Sequence, residues 1–89
     1  MNIHISKNVG VSGSGIYWMR SKDGKQHWCR MPIAIMGNFN TSDEYRKKHS
    51  PFEPGYQENY VEGKGNSREE ALAKMAEEEK HLADSIWAV

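Results

Sequence analysis

Gly10, Gly13 and Gly15, in the stretch KNVGVSGSGI (Lys7 to Ile16), are the first residues of this 89-residue chain to invite a chemical reading. Glycine-rich loops cradle phosphates when their amides converge at a helix N-terminus. Neither G-x-G-x-x-G nor G-x-x-x-x-G-K-[ST] is present, and a strand-like run follows, so the glycines read as a close-packed turn. His27 and Cys29 fall on one strand face, which raises metal or thiol chemistry. No second ligand pair stands at metal spacing, and His4, His49 and His81 are scattered, so ordinary packing is the better account. Glu69-Glu70 and Glu77-Glu78-Glu79 read as a solvated helix face rather than a general acid and base, and Arg46-Lys47-Lys48 beside His49 as a small solubilising patch. No pattern supplies a nucleophile with its base. The chain is expected to be no enzyme, with no catalytic residue, metal or cofactor.

The strongest signal is aromatic. Tyr17, Met19, Trp28 and Arg30 share one face of a hairpin. These residue types are enriched at protein interfaces, and aromatics with Arg also hold single-stranded bases. The second face of a two-layer core has the same composition, and both readings stand.

The elements that position these residues follow from local pattern. Asn2 to Ser6 alternates as a short strand, and Lys7 to Gly15 reads as a loop. Gly15 to Lys22 and Lys25 to Ile35 read as strands joined by Asp23-Gly24, a signal for a two-residue type I′ turn. That turn sets Arg20 opposite His27, Trp18 opposite Cys29 and Ile16 opposite Met31. Thr41-Ser42-Asp43-Glu44 starts a short helix through Lys48, stopped ahead of Pro51. Pro54-Gly55 marks a turn, and Gln57 to Glu62 a further strand. Ser67-Arg68-Glu69-Glu70 is a capping box for a long C-terminal helix whose apolar stripe runs Leu72, Met75, Ala76, Leu82, Ala83, Ile86. Trp18 is expected against that helix, with Leu72 and Met75. Glu79 falls near the centre of the stripe; a curved or frayed helix would let it reach solvent, and the sharper alternative is a cation such as Arg20 or His27. The fold class is α+β: a small antiparallel sheet packed on a long C-terminal helix, with a short middle helix, in one domain spanning 1–89.

Composition bounds the rest. The formal net charge is zero, which argues against a dedicated nucleic-acid module and leaves room for a local basic patch. The single cysteine excludes an internal disulfide and fits a reducing cytoplasm, and no apolar run has the length of a membrane span. The three tryptophans, four tyrosines and five methionines supply core volume that a scarcity of Leu, Val and Phe leaves wanting.

Three segments, in chain order, resemble one family. KNVGVSGSGI (Lys7 to Ile16) fits K-N-x-G-x-x-G-x-G-[IL], NSREEALAKM (Asn66 to Met75) fits [DN]-S-R followed by Ala, Leu and Met at helical spacing, and SIW (Ser85 to Trp87) fits S-x-W near the end. The pattern is similar to the small phage-type anti-CRISPR proteins of the type II-C class, which cap the HNH nuclease domain of Cas9. The resemblance implies a compact sheet-and-helix inhibitor that occupies an active site and blocks target DNA cleavage. An HNH nuclease activates water with a His base and a carboxylate-bound Mg²⁺, and the family sets a Ser and a Cys before the tail Trp to meet those residues. Ser85 matches the Ser, Ile86 stands where the family has Cys, and Trp87 matches the Trp. Partner-binding candidates are therefore Ser85, Ile86 and Trp87, with Tyr17, Trp28 and Arg30 as a second surface. The alternative is a small nucleic-acid-binding accessory protein using Tyr17, Trp28 and Arg30 with the cationic tip Arg20, Lys22, Lys25.

Overall fold

The structure is a computed structural model describing the backbone of residues 7–9 and 15–87 and the side chains of residues 15–82. Four strands, β1 (Lys7–Val9), β2 (Gly15–Arg20), β3 (His27–Pro32) and β4 (Tyr60–Gly65), form an antiparallel meander in that order. Helix α1 (Asp43–Lys48) lies between β3 and β4, and α2 (Arg68–Trp87) follows β4. The architecture is α+β, a sheet packed against a C-terminal helix.

The β2–β3 register is the expected one: Arg20 pairs with His27 and Trp18 with Cys29. The turn is not type I′. Ser21 accepts from the Gly24 amide at 3.0 Å and donates its own amide to Gln26 at 2.9 Å, closing a four-residue loop. Only Gly24 is left-handed (φ 73°), whereas type I′ needs two such residues. The Asp23 carboxylate stabilises the loop, accepting from the Ser21 hydroxyl at 2.6 Å and the Lys25 amide at 3.0 Å. Both loops are centred between Asp23 and Gly24, so the register is unchanged. A two-residue turn of the I′ kind forms elsewhere. Ile35 and Asn38 exchange amide hydrogen bonds of 2.9 and 3.0 Å around Met36 (φ 53°) and Gly37 (φ 82°).

Two other strand bounds differ from expectation. Lys7–Val9, read as loop, pairs with β2, Lys7 opposite Tyr17 and Val9 opposite Gly15. The strand read at 57–62 runs instead from Tyr60 to Gly65. The strand expected at Asn2 to Ser6 lies outside the described residues.

Both helices start as read. The Ser42 hydroxyl caps α1 by accepting from the Tyr45 amide, and Ser67 caps α2 by accepting from the Glu70 amide at 3.1 Å. One sheet face, Ile16, Trp18, Cys29, Met31, Ile33 and Val61, packs on Ala71 and Met75 of α2. The helix stripe is thus turned by one residue: Ala71 is fully buried where Leu72 was expected, and Leu72 is 41% exposed. Gly63 and Gly65 cause the turn, because they let the α2 backbone press against β4 too closely for a leucine between them. Glu79 does lie on the buried side. It is half-buried, with Oε2 shut off from solvent and meeting no hydrogen-bond donor among the described residues, so no pairing with Arg20 or His27 forms.

Candidate functional site

The opposite sheet face carries the aromatic candidates, and α1 and the segment after it cover part of it. Tyr17 is 8% exposed and donates its hydroxyl to the Arg46 carbonyl of α1 at 2.8 Å; burial raises its phenol above the ordinary value. Arg30 is half-buried. Its Nε donates to Glu62, its partner across β4, at 2.7 Å, and its Nη1 to the Pro51 carbonyl at 2.7 Å. The guanidinium sits between the rings of Phe52 (4.9 Å) and Tyr60 (4.7 Å). Tyr17 and Arg30 therefore fasten the α1 layer to the sheet. Trp28 differs. It is half-buried in the neighbouring row Met19–Trp28–Lys64, with the Lys64 ammonium 5.8 Å from its ring centroid.

The α1 layer is organised by a residue that sequence reasoning missed. Glu58 has a side chain with no exposure, yet it accepts from the Asn40, Thr41 and Asn59 amides and the Thr41 hydroxyl at 2.7–2.9 Å and lies 3.5 Å from Arg46 Nη1. Burial alone would push its carboxyl up, but these donors outweigh it and hold it below the ordinary value. Arg46 also donates to the Thr41 carbonyl and stacks over Phe39 at 3.7 Å. Beyond it, rings step from His49 to Tyr45 (4.3 Å), Tyr56 (5.8 Å) and Tyr60 (6.1 Å). A carboxylate five residues before the Gly63-Lys64-Gly65 run has no local signature of burial. The layer's polarity hid it.

Chemistry fares as the sequence suggested for Cys29. It is fully buried, donates to the Ala71 carbonyl at 3.3 Å, and burial pushes its thiol up to about 11, the setting of an inert thiol. His27 contacts the Gly24 carbonyl at 3.1 Å. Among the described residues, no three His, Cys, Asp or Glu are placed to hold a metal ion, and no helix is long and apolar enough to cross a membrane.

No known family, curated protein or solved structure matches this chain. The three motif segments can still be placed on the fold. Gly15 and Ile16 open β2, Asn66 to Met75 forms the cap and first turns of α2, and Ser85 to Trp87 is its last turn. The side chains of Ser85, Ile86 and Trp87 lie outside the described residues. The fold brings Trp28 and the cations of the β2–β3 turn to one end of α2, with Ser85 to Trp87 at the other. Helical rise sets these ends about 30 Å apart.

Proposed function

We propose that this chain is a non-enzymatic inhibitor that caps the HNH domain of a Cas9 nuclease and blocks target DNA cleavage. The motif resemblance supports the reading, and one structural relationship carries it further. The N-S-R and S-x-W segments lie at the two ends of one continuous helix, Arg68–Trp87. Its N-terminal turns are fixed by the Ser67 cap and by close contact with Gly63 and Gly65. A helix so anchored presents its last turn as the end of a rod, at low ordering cost on binding. In this reading Ser85 meets the catalytic His of the nuclease. A hydroxyl both donates and accepts, so it satisfies either imidazole tautomer. Ile86 replaces a thiol contact with an apolar one, and Trp87 adds area at the rim. The target strand is then excluded from the base and the metal-bound water together.

The test compares Ser85→Ala and Ser85→Arg with the unmodified chain for melting temperature and for inhibition of Cas9 cleavage. Both variants should fold. Loss of one desolvated hydrogen bond weakens inhibition by about five- to a hundredfold in Ser85→Ala, and the bulk and charge of Arg abolish it. Two folded variants that inhibit normally would remove the tail from the contact.

A further inference from the structure

The zero net charge conceals a segregation of charge. Between residues 15 and 68, the cations paired with carboxylates are Arg30 with Glu62, Arg46 with Glu58 and Asp43, Lys47 with Asp43, and Lys48 with Glu44. All lie in the α1 layer or the row beneath it. The five others, Arg20, Lys22, Lys25, Lys64 and Arg68, have no carboxylate within ion-pair distance among the described residues. Chain topology gathers these five at one end of the molecule. Arg20 ends β2, Lys22 and Lys25 lie in the turn, Lys64 is next to last on β4, and Arg68 opens α2. All five are exposed. The acids nearest in sequence, Asp23, Glu69 and Glu70, offset part of this charge and leave a surplus of two positive charges among these eight residues. Asp23 accepts from the Ser21 hydroxyl and the Lys25 amide, and the Glu70 carboxylate from the Asn66 amide, neutral donors that leave both charges in place.

The same end holds Trp28, in the row next to the Tyr17–Arg30–Glu62 row that the α1 layer overlies. A half-exposed indole bordered by Lys64, with Lys22 and Lys25 at the adjoining turn, combines a stacking platform with a phosphate-neutralising rim. Single-stranded nucleic acid requires both. We propose that the β2–β3 turn end is a binding site for single-stranded nucleic acid, with Trp28 stacking a base and Lys22, Lys25 and Lys64 contacting phosphates. The site is independent of the Ser85–Trp87 reading and lies at the opposite end of α2. It differs from the sheet-face expectation in leaving out Tyr17, which is buried, and Arg30, which is already paired with Glu62.

Fluorescence anisotropy of the full chain with a labelled oligothymidylate of about a dozen nucleotides tests it, between about 50 and 200 mM salt. Three phosphate contacts predict a log–log salt slope near −2, at about −0.7 per contact on a single strand. Lys22→Glu/Lys25→Glu, confined to an exposed loop, should lower affinity at least tenfold and flatten the slope by about 1.4. Trp28→Ala should weaken binding by about five- to a hundredfold at constant slope. Lys64→Glu gives a parallel readout should Trp28→Ala melt early. Absence of binding at the lowest salt, or a charge-reversed variant that binds as tightly as the original, overturns the proposal. So does polyglutamate displacing the oligonucleotide at equal charge concentration, which would mark a surface for acidic protein.

Discussion

Gly63 of β4 lies so close beneath Ala71 of α2 that a Cβ on the glycine would overlap the Ala71 carbonyl oxygen, with Met75 also in the way. Gly65 repeats the relationship one pleat on, where a Cβ would stand 2.7 Å from Glu70 Cβ. The strand thus carries the helix on bare backbone. Because the obstruction is the helix main chain, it cannot be relieved by a side-chain rotation. Gly63→Ala should cost about 3 kcal/mol or more, lowering the melting temperature by at least about 12 °C. Gly55→Ala, with φ 77° and open space around it, should lose only about 1 kcal/mol, from backbone strain alone. Thermal denaturation of the two variants side by side checks this.

Met36 carries backbone strain at a turn. It is 64% exposed and left-handed, at the first central position of the Ile35–Asn38 turn. Asn tolerates that conformation far better than Met and makes the favoured Asn-Gly pair with Gly37. Met36→Asn should stabilise the fold by about 0.5–1 kcal/mol, seen as a rise in melting temperature of about 2–8 °C.

Glu58 gives the fold an acid limit. Its carboxyl is held below the ordinary 4.5 in the folded chain, so its contribution is complete above that value. The contribution is lost as pH falls through the lower, folded value. Glu53, lowered by its hydrogen bonds from His49 and the Ser50 amide, acts in the same window. Glu58→Gln should cost about 1–3 kcal/mol at neutral pH and flatten the loss of stability below 4.5, as read from urea midpoints across pH.

Cys29 should report opening of the core. With its thiol raised to about 11 and no exposure, it reacts with an aromatic disulfide at neutral pH at least roughly a hundredfold more slowly than free cysteine. Mild urea should restore the rate in step with loss of ellipticity.

How much of this was legible in the sequence depended on range. The Ser42 and Ser67 caps and the Trp18–Cys29 register are set by neighbours within a few residues, and each was readable. The strand placed at Gln57 to Glu62 stopped short of Gly63 and Gly65, whose use is contact with a helix that local pattern cannot supply. The same contact moved Ala71 inward and Leu72 outward. In the candidate site, Trp28 kept its partial exposure. Tyr17 and Arg30 were covered by a polar segment, held by Glu58, whose docking is a long-range event.

Whether this chain caps an HNH domain, as proposed, is decided by one calorimetric titration. The full chain is titrated into the isolated HNH domain of a type II-C Cas9, and into the same Cas9 with that domain deleted. Capping predicts saturable binding to the isolated domain, none to the deleted enzyme, and undiminished target-DNA binding by intact Cas9 whose cleavage is blocked. No heat of binding to the HNH domain, with cleavage proceeding at saturating concentrations of the chain, would contradict it.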